Sequence, residues 1–311
     1  MPLRAFIAAL VLAVAHGTAA AADVIGYSEA FDTLFRVDLS THTAQELGPA
    51  GSLNGTRIAD LEGLSYSPGG TLFAVSDGLK ILLRINPQTG HATVVGPLNL
   101  GNEALTAHLD LGMTFTCDGR LWLSAAADGN FWQVDPASGA TTLVGNLGVK
   151  VTGLTSSGQD LYGTGSQGNN NLYRIDPATA KSTLVGAYGI GTYVTTVSPA
   201  FDASGKLWSI LSYVPPQQGT TEIPPWSDLA SINAATGSLI NTGNITGPSD
   251  LQTEFYGELR GLALMPPVCG SAGGPGAATD ATPSLSPWGL LALAASMSLL
   301  AGTRLRRRRP T

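Results

Sequence analysis

A short pattern of hydrophobic and polar positions recurs five times through the middle of the chain. Two apolar residues, often aromatic, are followed by a polar or small residue, a β-branched residue and Asp or Asn. The copies are LFRVD (34–38), LLRIN (82–86), FWQVD (131–135), LYRID (172–176) and LASIN (229–233). Successive Asp or Asn residues lie 48, 49, 41 and 57 positions apart. A strand-like repeat of this length is typical of the blades of a β-propeller.

Each copy predicts two strands of a four-stranded blade, here called strands a to d from the inside of the ring outward. A turn and a further strand follow each copy, and in the last four copies the turn has the form PQTG, PASG, PATA or AATG. Two more strands precede the copy in four cases, which predicts complete blades at 59–96, 109–145, 150–186 and 193–243.

The ends of this region predict how the ring closes. Residues 23–48 supply only strands b, c and d, whereas residues 259–264 resemble an isolated strand a. Pairing of these two segments would complete a five-bladed ring and remove its exposed sheet edges. Six blades remain the alternative if residues 244–258 contain further strands.

The strand order predicts two different faces. The a–b and c–d turns are tight and share one side of the ring, the tight-turn face. The b–c and d–a connections share the other side, and long insertions accumulate there at 97–108, 213–228 and 244–258. Because long irregular loops are usually either functional or disordered, this long-loop face is the predicted functional face.

Charged residues cluster where the innermost strands begin on the long-loop face. The candidates are Asp60, Glu62, Asp110, Glu258 and Arg260. Aligning the strands on the Gly that follows Glu62 and Arg260 puts these two residues in equivalent positions on neighbouring blades. They form either an ion pair that holds the closure together or a ligand contact at the channel mouth.

Aromatic residues lie in or beside the long insertions. Tyr213, Trp226 and Tyr256 either cover the end of the propeller or stack on a ligand such as a sugar or a peptide. Both interpretations stay open at this point.

The amino-acid composition indicates the fold class and argues against a nucleic-acid partner. The chain has 311 residues, 39 Gly, 19 Pro and only 12% charged residues, which suits an all-β protein of many short strands. Setting aside the basic residues of the two ends, 10 basic residues face 22 acidic ones, so the body is acidic. We therefore expect no nucleic-acid partner. Four His residues are few for a catalytic triad or a zinc centre, and no cofactor motif is evident.

Parts of the body resemble known propeller families. The repeats are similar to the WD40/YVTN-like repeats of secreted bacterial surface propellers. The stretch from Glu62-Gly63-Leu64 to residues 72–77 resembles the first blade of calcium-dependent propeller hydrolases of the lactonase and phytase-like groups. That resemblance implies that Glu62 helps to hold Ca²⁺ at the channel mouth. Asp60, Asp110 and Glu258 are then the nearest further ligand candidates.

The two ends of the chain look like targeting segments. Residues 1–22 have a basic start, an apolar stretch and a small-residue cleavage site, which predicts an export signal peptide. The body occupies 23–265. Residues 266–284 are rich in Pro, Gly, Ala, Ser and Thr, which predicts a flexible linker before a tail at 285–311.

The tail resembles the bacterial IPTL-CTERM sorting signal. The resemblance rests on Pro283, Leu285, Ser286, Trp288 and Gly289, then on an apolar run and a terminal arginine cluster. It implies a Gram-negative envelope protein that reaches the membrane through its C-terminal transmembrane tail. It also implies processing by an exosortase-like enzyme, after which the protein is released or displayed on the surface.

The chain has two cysteines, Cys117 and Cys269. Export makes a disulfide possible, and both residues are predicted to emerge on the tight-turn face. A bridge and two separate thiols remain the alternatives.

The leading hypothesis from the sequence is an exported, envelope-anchored propeller that acts as a binding or scaffold domain for a glycan or peptide. The second hypothesis is a Ca²⁺-dependent hydrolase of the lactonase or phosphoesterase type. The third is a structural matrix protein without a specific ligand.

Overall fold

The computed structural model describes residues 25–101, 108–166, 168–190, 194–213, 226–247 and 258–265. These residues form β-strands joined by turns and loops, without a helical segment. Accordingly, no helix capable of spanning a membrane is found among them. The predicted signal peptide (1–22), the linker (266–284) and the sorting tail (285–311) with its motif residues lie outside the described residues.

The strands follow one another closely along the chain. They are β1 (Ile25–Ala30), β2 (Thr33–Asp38), β3 (Thr43–Pro49), β4 (Ser52–Leu53), β5 (Thr56–Arg57), β6 (Leu61–Tyr66), β7 (Leu72–Ser76), β8 (Ile81–Ile85), β9 (Ala92–Pro97), β10 (Leu111–Phe115), β11 (Leu121–Ala125), β12 (Asn130–Val134), β13 (Thr141–Asn146), β14 (Gly153–Ser157), β15 (Asp160–Thr164), β16 (Asn171–Asp176), β17 (Lys181–Ala187), β18 (Val194–Phe201), β19 (Leu207–Tyr213), β20 (Trp226–Ile232), β21 (Leu239–Asn244) and β22 (Arg260–Met265).

These strands form a five-bladed β-propeller. Blades 2 to 5 are the antiparallel sheets β6–β9, β10–β13, β14–β17 and β18–β21, and blade 1 has the order β22-β1-β2-β3. The short strands β4 and β5 form a separate hairpin between blades 1 and 2. The prediction of five blades, with nearly the predicted boundaries, is confirmed.

The closing blade joins the two ends of the folded region. Strand β22 pairs antiparallel with β1, so that Gly26 lies opposite Leu264 and Glu29 lies opposite Arg260. The innermost strands contact one another around the ring in the order β6, β10, β14, β18, β22. Because β18 and β22 are neighbours, no sixth blade fits between them.

A second connection closes the ring at its rim. The amide of Ala44 donates to the carbonyl of Thr246 (2.7 Å), and the amide of Thr246 donates to the carbonyl of His42 (2.8 Å). A comparable bond joins blades 1 and 2, where the amide of Ala92 donates to the carbonyl of Ala50 (2.9 Å). Backbone hydrogen bonds therefore join blades 5 and 1 at the rim in the same way as they join blades 1 and 2.

The Asp or Asn that ends each repeat closes the c–d turn. In blade 3 the carboxylate of Asp135 accepts hydrogen bonds from the amide of Ala137 (3.0 Å) and the hydroxyl of Ser138. The turn then packs on the outer strand of the preceding blade. In blade 2 a Cβ on Gly90 (φ +75°) would collide with the carbonyl oxygen of Gly48. Glycine therefore satisfies both the backbone conformation and the close contact between blades.

The core lies between the blades, where apolar side chains from neighbouring sheets meet. Trp122 of blade 3 stacks on Phe131 (ring centroids 5.3 Å apart) and packs with Leu161 and Tyr173 of blade 4. Arg120 lies over the Trp122 ring, 5.0 Å from its centroid. This packing fixes the blades relative to one another and thereby positions the channel mouth.

One detail differs from the sequence analysis, and one alternative that it left open is decided. The predicted insertion at 213–228 is shorter, because β19 continues to Tyr213 and β20 begins at Trp226. Cys117 lies in the a–b turn of blade 3, as predicted, but it is disulfide-bonded. The alternative of two separate thiols is therefore wrong for Cys117, and Cys269 lies outside the described residues.

Candidate functional site

The channel mouth on the long-loop face brings the predicted charged residues together. Arg260 begins β22 and Glu62 is the second residue of β6, and each is followed by a glycine with positive φ, Gly261 (+63°) and Gly63 (+55°). A Cβ on Gly261 would lie 3.0 Å from the Cβ of Leu64 in β6. Glycine therefore lets the two inner strands approach, and Arg260 Nη1 lies 2.7 Å from Glu62 Oε1.

Arg260 is the centre of a wider charge network. Its guanidinium lies 3.5 Å from Glu258 Oε2 and 3.9 Å from Asp60 Oδ1. Burial lowers the pKa of Arg260, but the carboxylates of Glu258 and Glu62 more than compensate, so that its pKa is raised. The guanidinium therefore stays charged and serves as a built-in cation at the channel mouth.

The oxygens of Glu62 are both engaged by protein groups. One accepts from Arg260 and the other accepts from the amide of Leu111. Burial raises the pKa of Glu62, and Arg260 acts in the opposite direction. Because donors of the protein already occupy both oxygens, the geometry favours the ion-pair interpretation of Glu62 over a role as a Ca²⁺ ligand. Asp110 is exposed and contributes to the same field.

The cavity below this network is small. Its lining includes Glu62, Asp110, Thr152, Thr196 and Arg260, and the centre of a water-sized molecule can move within only about 20 Å³. That is enough for about one water molecule. Among the described residues, this part of the channel therefore has no room for an organic ligand.

A second cluster lies beside the mouth. Asp60, Asp77 and His108 each offer a possible metal-ligating atom, and these atoms lie within 4.8 Å of one another. His108 Nδ1 is 3.1 Å from Asp60 Oδ2 and 3.9 Å from Asp77 Oδ2. Asp77 is fully buried; it pairs with Lys80 and accepts a hydrogen bond from the amide of Leu109 (2.7 Å). The sequence analysis did not name Asp77 as a ligand candidate, although Asp77 ends the stretch 72–77 that resembles the propeller hydrolases.

A buried acid lies next to the closing strand. Glu29 in β1 is 0% exposed, and within the described part of the chain neither carboxylate oxygen has a hydrogen-bond partner. Burial raises the pKa of Glu29 well above its ordinary value; the charge of Glu62 acts in the same direction and Arg260 opposes it. Glu29 therefore keeps its proton to a higher pH than an ordinary glutamate does. No feature of the sequence around Glu29 indicated this.

Two of the three aromatic candidates lie within the described residues. Tyr213 and Trp226 lie opposite each other in β19 and β20 and stack face to face, with centroids 4.8 Å apart. Both are half-buried, and burial raises the pKa of Tyr213 to about 12. Tyr256 lies outside the described residues.

A further aromatic residue was missed by the sequence analysis. Phe31 occupies the b–c turn of blade 1 and is 44% exposed with a positive φ of 56°. Arg57, from the hairpin β4–β5, lies 5.0 Å from the centre of its ring and pairs with Asp32. The long-loop face thus presents aromatic surface on blades 1 and 5 and a charged mouth at the centre.

Comparisons with known proteins support the repetitive character of the sequence. A family model described as a repeat of unknown function (DUF6923) matches residues 64–209, which run from β6 into β19. No curated protein was found to match the sequence.

Several solved structures are similar to this chain at low sequence identity. One comes from a nidogen/laminin complex (11% identity, 78% of this chain and 98% of that chain, TM-score 0.48). Another is a protein of unknown function from Bacteroides caccae (10%, 78% and 99%, 0.47). A third is a gluconolactonase from Xanthomonas campestris (16%, 72% and 80%, 0.43).

Proposed function

We propose that the propeller is a binding domain of the cell envelope and that its long-loop face recognises a glycan or a peptide. The observation that carries this proposal is the stacked pair of Tyr213 and Trp226, half-exposed on that face. Aromatic faces bury much apolar area at little conformational cost, which suits stacking on a sugar ring or a peptide side chain.

The channel mouth supports binding rather than enclosed catalysis. Its charges are paired with one another, and the cavity beneath it admits about one water molecule. The acidic body favours a neutral or cationic ligand over an anionic one. Carboxylates such as those of Asp60 and Asp110 can accept hydrogen bonds from sugar hydroxyls or from basic peptide groups.

The location follows from the ends of the chain. We propose that residues 1–22 direct export and that the tail at 285–311 holds the protein in a Gram-negative envelope. In this proposal an exosortase-like enzyme recognises the tail motif around Trp288.

A binding screen tests the proposal. We expect the full chain to bind at least one member of an array of bacterial envelope glycans and peptides, and Trp226→Ala to weaken that binding about tenfold. Leu184→Ala is the matched control, because Leu184 is 58% exposed but lies on the outer strand β17 of blade 4. Equal affinities of the two variants would contradict the proposal, and an array without any binder would favour the structural matrix hypothesis.

A metal-dependent hydrolase is the second candidate, and the cluster of Asp60, Asp77 and His108 is the observation that favours it. Two carboxylates and an imidazole suit a transition-metal ion better than Ca²⁺, which prefers six to eight oxygens. Metal at about a hundred times its Kd would raise the melting temperature by roughly 5–10 °C relative to chelator. Asp60→Asn would abolish that shift; a wild-type chain that shows no shift with Ca²⁺, Zn²⁺ or Mn²⁺ rejects this candidate.

A further inference from the structure

The tight-turn face has an open groove between blades 2 and 3. It encloses about 550 Å³ and is lined by residues of the a–b turns of both blades and of the c–d turn of blade 3. Pro68 and Pro136 are partly exposed at its rim, whereas Phe73 and Phe115 form a buried floor and are each only 4% exposed. The guanidinium of Arg84 lies 5.6 Å from the centre of the Phe73 ring. A groove with proline side chains at its rim suits an extended, proline-containing segment.

The same groove contains a covalent attachment point. Cys117 lines it and is disulfide-bonded. Cys269 is the only other cysteine of the chain, so we infer that it is the partner. In a disulfide the two Cα atoms lie about 4.4–6.8 Å apart, which brings the chain at Cys269 to the edge of the groove.

Strand β22 ends on the tight-turn face, the side of the propeller on which Cys117 lies. Strand β22 starts at the channel mouth with Arg260 and runs to Met265, opposite Ile25, on the tight-turn face. Leu264 and Phe115 line the same small cavity at the lower end of the channel, so the ends of β22 and β10 are near each other. The four residues from Met265 to Cys269 can span about 14 Å, enough to cross this short distance.

We propose that residues 266–270 (PPVCG) dock in the groove between blades 2 and 3 and that a Cys117–Cys269 disulfide fastens them there. Pro266 and Pro267 lack backbone N–H groups, so they can pack on the partly exposed Pro68 and Pro136 without leaving a buried donor unsatisfied.

Formation of the bond requires an oxidant. Each thiol loses one proton, and the pair transfers two electrons to an oxidised dithiol of the export pathway by thiol–disulfide exchange. One S–S bond forms in the propeller, and the oxidant leaves as the reduced dithiol. The resulting loop of about 150 residues ties the closing strand to blade 3.

The first test maps the bond and the groove separately. Non-reducing peptide mapping of the full chain should recover the peptide of Cys117 linked to that of Cys269 within one molecule. Two free thiols, or a bond between two copies of the chain, would overturn the pairing.

The groove is then blocked with Ala137→Trp, whereas Ala178→Trp makes the same change at the equivalent exposed turn position of blade 4.

Docking predicts a difference between these two variants. A docked segment shields the disulfide, so Ala137→Trp should be reduced by dithiothreitol at least tenfold faster than Ala178→Trp, which should match the wild type. Equal rates would show that the segment is tethered but not docked, and would overturn the proposal.

Hydrogen exchange gives a test that does not depend on a substitution. Reduction of the disulfide should speed the exchange of amides at Gly69, Gly70 and Thr71, in the blade 2 turn that borders the groove but is distant in sequence from either cysteine. The corresponding turn of blade 5, at Ser204 and Gly205, is the internal control. Unchanged exchange at 69–71 would overturn docking even if the disulfide is present.

Discussion

Glu29 should make the folded protein less stable as the pH rises, and Glu29→Gln should remove that effect. The carboxyl group is fully buried beside Gly261, and within the described residues its oxygens have no hydrogen-bond partner. The charge of Arg260 acts on Glu29, but Glu62, Glu258 and Asp60 already share this cation. The folded protein therefore holds a proton on Glu29 that the unfolded chain releases at the ordinary glutamate pKa.

The sign and size of the effect follow from proton binding. The pKa of Glu29 is raised in the folded state, so above the ordinary glutamate pKa the folded state binds more protons than the unfolded state. The free energy of unfolding then falls by about 1.4 kcal/mol per pH unit for as long as the folded protein keeps the proton. Each pH unit above about pH 5 over which the folded protein keeps this proton therefore lowers Tm by roughly 3–6 °C.

Urea unfolding of the wild type and of Glu29→Gln across this pH range is the assay. Glutamine keeps the size of the side chain but cannot ionise, so the variant should become progressively more stable than the wild type as the pH rises. Glu46→Gln changes an exposed glutamate of the same blade and should differ from the wild type by at most about 0.5 kcal/mol.

The pH dependence of the stability difference between the wild type and Glu29→Gln separates ionisation of Glu29 from changes in packing. A new hydrogen bond or a poorer fit of the amide that Glu29→Gln introduces would shift the stability by the same amount at every pH. A difference between wild type and Glu29→Gln that does not change with pH would therefore refute the assignment of an uncharged Glu29. A difference of opposite slope would mean that Glu29 is ionised and paired in the folded protein.

Two further substitutions test the closing strand by urea unfolding at neutral pH. Gly261→Ala should lower the free energy of unfolding by at least about 2 kcal/mol more than Gly70→Ala does. Both glycines have positive φ, so the backbone strain is similar. A Cβ at position 261 would lie 2.6 Å from Glu29 Oε1, whereas a Cβ at position 70 would contact nothing. Equal losses would contradict the contact argument. Arg260→Met should cost about 3 kcal/mol by leaving Glu62 buried without its cation, and Glu62→Gln in the same chain should recover part of that loss. Strictly additive losses would show that the pair is not coupled.

The fold could be predicted because its determinants are local and repeated. The residue that ends each repeat, such as Asp135, caps its own turn, so the sequence pattern and the structural unit coincide. The contact between Glu62 and Arg260 was predictable for a related reason. The glycines that follow them mark the same position of the inner strand, which puts the two side chains side by side once the ring is closed.

The rest of the site depends on contacts that no local pattern encodes. Asp77 and His108 come from different connections and meet Asp60 only through the packing of the loops above blade 2. Glu29 occupies a strand position at which a surface carboxylate would be unremarkable; its burial results from β6 and β22 closing over it. The hairpin β4–β5 is a different case, since its Asn54-Gly55 turn is a recognisable hairpin signal in the sequence.

The origin of the closing blade has a consequence for the order in which the protein is assembled. Blades 2 to 5 each come from one continuous stretch and can form as soon as that stretch is available. Blade 1 cannot, because the hydroxyl of Ser28 donates to the carbonyl of Arg260, a residue 232 positions later in the chain. Contacts over such a distance form late. The edge of β1 therefore stays open until the last strand emerges, and a chain that is cut short before residue 260 keeps an unpaired sheet edge that can pair with other chains.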